Sequence, residues 1–178
     1  MVLLKQVRYL VKKNKMAIAP KGIIVHSMSE YLKLDSGPMY AKDFLESIGL
    51  SVHGFITPTG KYEKMVETPG KAFHAGKSLH EGLSGLNSHY LGFELLVPGE
   101  HDFGTFSKAI ETPGTYTKEQ FDTAVEVCKY WMKQYNIPAS RVVRHSDVSG
   151  DDVRGKGKGK TDPGSAFDWN AFQKALVA

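Results

Sequence analysis

His26 and His145 each close a short β-branched run, Gly22-Ile23-Ile24-Val25-His26-Ser27 and Arg141-Val142-Val143-Arg144-His145, and Asp162 sits in the loop Lys160-Thr161-Asp162-Pro163-Gly164. Two imidazoles and a carboxylate are zinc-type ligands, and three such ligands leave one position open for water, the catalytic rather than the closed structural arrangement. The chain carries one cysteine, Cys128, which excludes a disulfide within it and any CxxC site. A metal must therefore be held by histidine and carboxylate, and seven histidines leave room for that. Taken alone, a histidine ending an apolar strand also reads as a hydrogen-bonded packing residue, and the spacing of these three residues matches no short zinc motif. Glu94 lies inside Leu91-Gly92-Phe93-Glu94-Leu95-Leu96-Val97, on the strand face opposite Phe93 and Leu95. A carboxylate in a central-strand pattern requires a partner or a purpose.

Side-chain periodicity places these groups on an α+β scaffold. Strands are expected at residues 22–27, 91–97 and 141–145, with both histidines at strand ends. Residues 52–56 and 61–66 read as a hairpin around Thr57-Pro58-Thr59-Gly60, with His53 on its first strand. A helix should begin at Ser36-Gly37-Pro38, turn Phe44, Leu45 and Ile48 inward and leave at Gly49. Thr117-Lys118-Glu119-Gln120 is a capping box, after which Phe121, Ala124, Val125, Cys128, Trp131 and Tyr135 recur at helical spacing until Asn136-Ile137-Pro138. A last helix after Asp168 buries Trp169, Phe172 and Leu176. Residues 67–87 have no sustained apolar period and read as a long surface loop, a length that is usually functional or disordered. The expected fold is a single domain over residues 1–178, a central mixed sheet flanked by helices.

With 41% hydrophobic and 24% charged residues in a chain of 178, the composition is that of one globular domain able to bury a core, neither disordered nor fibrous. The net charge of +4 favours anionic partners without choosing among them. Met1-Val2-Leu3-Leu4 is followed by Lys5, Arg8, Lys12, Lys13 and Lys15, so no apolar run reaches the length of a signal-peptide core, and no window approaches a membrane span. Synthesis in the cytoplasm without a signal peptide is expected, with delivery by another agent if the protein acts outside.

Six blocks in order, Ile-Ile-Val-His26-Ser, Ser51-Val-His53, Phe-His74-Ala-Gly, Leu-Gly-Phe-Glu94-Leu, Arg-His145-Ser-Asp and Lys160-Thr-Asp162-Pro-Gly, resemble the zinc-dependent N-acetylmuramoyl-L-alanine amidases over about residues 23–169. That group includes phage-lysozyme-type amidases, cytosolic anhydromuropeptide amidases and peptidoglycan recognition proteins. The resemblance implies the peptidoglycan-amidase fold, zinc held by His26, His145 and Asp162, and hydrolysis of the amide between N-acetylmuramic acid and L-alanine. It implies that Glu94 takes the proton of the attacking water and passes it to the departing nitrogen, while Lys160 steadies the oxyanion. His74 would line the substrate groove; His53 would serve in packing, behind a ligand, or against substrate. His80, His89 and His101 match nothing in the family and are read as surface residues. The chain has Val52 where the phage-lysozyme branch has tyrosine and Asp162 where that branch has a cysteine ligand, and residues 149–159 are longer than the family pattern.

Two settings follow: a phage-type endolysin released through the host membrane to attack the wall, the preferred one, or a cytosolic enzyme recycling anhydro-muropeptides. A non-catalytic peptidoglycan-binding protein is the third reading, disfavoured because all three ligand positions are filled. Gly155-Lys156-Gly157-Lys158-Gly159-Lys160-Thr161 looks like a phosphate loop but has Arg154 where that motif needs glycine. No aromatic-interleaved basic stripe marks a nucleic-acid binder. The expected partner is peptidoglycan or a muropeptide, met as a monomer, with no nucleic acid and no membrane span.

Overall fold

The computed structural model describes residues 16–178; the charged segment behind the signal-peptide expectation lies outside these residues. Strand β1 (Gly22–Leu32) is longer than its β-branched run because β7 (Tyr90–His101) pairs with it in parallel almost throughout, from Gly22 with Tyr90 to Leu32 with His101. His26 is therefore mid-strand, not at a strand end. The polar Ser27 and Ser29, which look like the strand's exit in sequence, are buried within it.

Around this pair the sheet runs β2 (Met39–Tyr40), β1, β7, β3 (Gly54–Ile56), β4 (Tyr62–Lys64). Strand β8 (Val142–Arg144) lies parallel to Ile23–Val25 of β1, on the edge whose far end holds antiparallel β2. The β3–β4 hairpin forms around the expected turn, with β3 parallel to β7. A separate small hairpin, β5 (Leu79–His80) with β6 (Leu83–Ser84), lies in the segment read as loop. That segment is ordered by side chains: Asn87 Oδ1 accepts from the N–H groups of His74 and Ala75, and Ser78 Oγ accepts from Leu86 N–H.

Helix α1 (Ala41–Ser47) starts later than Pro38 because Met39 and Tyr40 are drawn into the sheet, and Ile48, expected inward, caps the helix and is half exposed. Gly49 makes the expected exit with φ 75°. Helix α2 (Phe103–Ala109) follows β7. Helix α3 (Lys118–Tyr135) carries the predicted capping box, and Ala124, Cys128 and Trp131 are buried by it. Gln120 Nε2 donates to the carbonyls of Ile56 and Leu96, which anchors the helix across two strands. Helices α4 (His145–Val148) and α5 (Asp151–Arg154) precede the final α6 (Trp169–Val177), whose Phe172 and Leu176 are buried as expected while Trp169 is half-buried.

Alternation divides the sheet. Ile23 and Val25 of β1 and Leu91, Phe93 and Leu95 of β7 face α3 and α6 in the principal core. The opposite face has two smaller apolar clusters, one around Ile24, Tyr90 and Val143 and one around Val52, Phe55 and Leu96. His26, Gly92 and Glu94 share the strand parity of that second face. The fold is one domain, a mixed sheet with flanking helices.

Candidate active site

Three strands deliver the polar groups. Parallel pairing sets His26 opposite Glu94, and the β8 pairing ends at Val25 with Arg144, so His145, the next residue, emerges beside His26. Their ring centroids are 4.2 Å apart. His145 opens α4 rather than ending a strand, and its neighbour Ser146 donates its N–H to Asp162 O at 3.1 Å. Asp162 is thereby carried to the pair: its carboxylate oxygens lie 3.1 Å from His145 Nδ1, and Oδ2 lies 3.7 Å from His26 Nδ1. Ser27 N–H donates to the same Oδ2 at 3.2 Å. All three side chains are buried, with relative exposures of 1%, 5% and 7% for His26, His145 and Asp162.

One ligand-type atom from each of these residues lies within 4.8 Å of the others, the one such trio of histidine, cysteine or carboxylate among the described residues. Neighbouring ligands of a small tetrahedral ion with bonds of about 2.0–2.1 Å are about 3.3 Å apart, close to the separations found. The surrounding charge fits a cation as well. Glu94 is buried, and its Oε2 has no hydrogen-bond partner among the described residues. Burial, then the Asp162 charge, pushes the Glu94 carboxyl well above the usual range, with Lys160 pulling the other way. Burial would also raise Asp162, yet the His145 charge, hydrogen bonds from His145 and Ser27, and Lys160 hold it below the ordinary value. The Glu94 carboxyl, disfavoured as an anion by burial and by Asp162, would be relieved by a divalent cation held at the trio.

Behind the trio lie two more histidines. His74 Nδ1 is 2.8 Å from His26 Nε2, and His74 Nε2 is 3.2 Å from Tyr90 O. His53, just ahead of β3, accepts the Gly92 N–H on Nδ1 at 3.0 Å and donates from Nε2 to Gly70 O at 2.8 Å. Burial pushes His53 down to about 4, so it is neutral at pH 7. Burial, with the charges of neighbouring histidines, likewise lowers His26 and His74 well below their usual value.

Lys160 is exposed, and its N–H is held by Ser149 O at 2.9 Å. Ser149 is itself buried, donating from Oγ to the carbonyls of Ala75 or Lys77. The longer 149–159 segment is a folded clasp: Asp151 accepts the N–H groups of Gly157 and Gly159 at 2.9 and 2.7 Å, and Arg154 Nε donates to Lys158 O. Lys160 also borders a groove of about 830 Å³ walled by Ser146, Thr161, Phe167, Trp169 and Asn170. Arg144, paired with Asp147, lies over the Trp169 ring at that groove.

The structure thus brings His26, His145, Asp162, Glu94, His74 and His53 into one region, with Lys160 at its rim. Sequence reasoning passed over Gly92, Ser149 and Tyr116, whose hydroxyl donates to Pro163 O at 2.7 Å. Gly92 alone carried a readable signal, a glycine inside an apolar strand where something approaches closely. His80, read as a surface residue, is half-buried with Nδ1 2.7 Å from the Tyr90 hydroxyl.

The sequence model of the family described as N-acetylmuramoyl-L-alanine amidase matches residues 14–165. The 1,6-anhydro-N-acetylmuramyl-L-alanine amidase AmpD of Enterobacter cloacae is 30% identical over 143 residues, which cover 80% of this chain and 65% of that protein. The chain spans about two thirds, at most, of the length of the curated relatives it matches. A crystal structure of a selenomethionine derivative of AmpD superposes with a TM-score of 0.64 at 23% identity, covering 88% of this chain and 84% of the other. The endolysin N-acetylmuramoyl-L-alanine amidase LysCS of Clostridium intestinale URNW gives 0.60 at 20% identity, with 90% and 86% covered. These two likenesses establish the fold; the family match over most of the chain establishes membership. The chain belongs to the N-acetylmuramoyl-L-alanine amidase family.

Proposed function

We propose that the chain is a zinc-dependent N-acetylmuramoyl-L-alanine amidase that cleaves soluble 1,6-anhydro-muropeptides between the lactyl group and L-alanine. The observation that carries this reading is the buried His26–His145–Asp162 trio with the unpartnered Glu94 carboxylate beside it. The two-imidazole, one-carboxylate donor set suits zinc and leaves a position open, and zinc bound there would polarise the scissile carbonyl and acidify water. Glu94, its proton affinity raised by burial, accepts the proton of the attacking water on its carboxylate and delivers it to the departing L-alanine nitrogen. Lys160, exposed at the rim and tied by its backbone to Ser149, donates from Nζ to the oxygen on which negative charge develops. His74 and His53 belong to the same site, behind His26. Residues 1–178 act as one amidase domain and as a monomer.

The choice of soluble anhydro-muropeptides rests on relatives such as the Enterobacter cloacae protein, a 1,6-anhydro-N-acetylmuramyl-L-alanine amidase. Action in the cytoplasm follows from that substrate. Among the described residues no helix is long and apolar enough to cross a membrane. The endolysin reading keeps one observation in its favour, the exposed lysines Lys156 and Lys158 beside the site, suited to an anionic wall. Initial rates on a soluble anhydro-muropeptide and on intact sacculi separate the two. A rate on the soluble compound at least tenfold higher per cleavable bond supports recycling; faster cleavage of sacculi supports the endolysin.

A further inference from the structure

The carbonyl of Tyr90 can only accept, so the His74 nitrogen 3.2 Å from it, Nε2, must carry the proton. In the neutral ring with its proton on Nε2, half-buried His74 has a bare Nδ1, and the contact of 2.8 Å to His26 Nε2 makes that nitrogen of His26 the donor. His26 in turn has a bare Nδ1, the atom that lies toward Asp162. With both rings neutral, the order Tyr90 O, His74, His26 admits one arrangement of protons.

We propose that His74 is a positioning residue that locks His26 in the Nε2–H tautomer and in orientation, so that the Nδ1 lone pair stands ready for the cation. This rests on the metal reading of the same trio. A metal-binding histidine commonly hands its other N–H to a carboxylate or carbonyl. Here a second neutral imidazole takes that place, backed by a main-chain oxygen that cannot change its proton state.

Gly92 supplies an independent sign that the contact is built in. It lies on β7 opposite Ile24, two residues before Glu94, and a Cβ there would stand 2.6 Å from His74 Cε1 and Nδ1 and 3.1 Å from His26 Nε2. Any larger residue would push the two rings apart. The same glycine's N–H is bonded to His53 Nδ1, and the His53 ring lies edge-on to His74 at 5.7 Å, so a second ring packs against His74. The role is distinct from the substrate contact expected from the family pattern, since both nitrogens of His74 are engaged within the protein.

The test is ¹⁵N NMR of the imidazole nitrogens at pH 7, on the unsubstituted metal-free protein and again after zinc is added, joined to zinc affinity by competition with a chelating dye. Protons on Nε2 of both His26 and His74 before zinc, retained after it, are expected; a proton on Nδ1 of either ring overturns the relay. His74→Leu should weaken zinc binding by about 10–100-fold. His74→Asn, which can present Oδ1 where Nδ1 stood, should recover most of that loss. Unchanged affinity in His74→Leu, or equal loss in both variants, overturns the proposal. Failure of the parent protein to bind zinc contradicts the metal reading itself, and the signals of the metal-free protein still decide the relay.

Discussion

His26 and Glu94 are register partners in the parallel β1–β7 pairing, so an imidazole and a buried carboxylate leave the sheet side by side on one face. Strand alternation makes this relation rigid: a one-residue slip of either strand would send its own member of the pair into the principal core. Glu94 accordingly lies beside the three clustered ligand-type groups without being one of them.

Glu94→Gln keeps the shape and removes the proposed base. A positioned acid–base group contributes about 10²–10⁴-fold, and kcat should fall by that factor while bound zinc and Tm stay nearly unchanged. Steady-state kinetics with metal analysis and a melting curve check this; loss of zinc would make Glu94 part of the metal's surroundings instead.

Asp162→Ala removes a ligand-type carboxylate and the acceptor of Ser27 N–H together. Zinc affinity should drop more than about 100-fold, beyond the usual effect of losing a group behind a ligand. Dye competition measures it. Full occupancy retained in both Asp162→Ala and His145→Ala would contradict the trio as the metal site.

His53 links the site to acid stability. Its folded-state pKa is pushed down to about 4 from 6.5 by burial, so between those values the unfolded chain binds the extra proton. Its stabilising contribution is complete above pH 6.5 and is lost as pH falls toward 4. Melting curves from pH 7 to 4 should drop less steeply for His53→Gln than for the parent; identical slopes would remove His53 as the cause.

How far the site could be read in advance depended on the kind of contact. The β-branched run at Ile23–Val25 and the capping box at Thr117 are local patterns, and the structure places strand and helix there. The six blocks of residues named His26, Glu94, His145 and Asp162, which the structure places side by side, because a family resemblance encodes tertiary contact that periodicity does not. Residues 67–87 show no apolar period because their order comes from polar side chains, Asn87 and Ser78 within the segment and Ser149 far from it in sequence, whose hydroxyl donates to the Ala75 or Lys77 carbonyl. Strand β1 outran its apolar signal for the same reason: pairing with β7 carries it past Ser27 and Ser29.

The clasp at residues 149–159 divides its charges by role. Arg154 bonds Lys158 O and is structural, whereas Lys156 and Lys158 are exposed. Replacing both lysines by Ser should lower the rate on sacculi at low salt, with the difference shrinking at high salt where the Debye length falls to about 3 Å at 1 M. The rate on a soluble muropeptide should hold. Equal loss on both substrates would assign the lysines to folding of the clasp.

The most direct measurement is the identity of the bond cut. Mass spectrometry of the products from a defined anhydro-muropeptide, run with the zinc-loaded protein and after chelation, should find a free peptide beginning with L-alanine and an intact anhydro-sugar acid, both disappearing with the chelator and returning with added zinc. New reducing sugar ends, a peptide beginning with a D-amino acid, or full cleavage in the absence of metal would contradict the account.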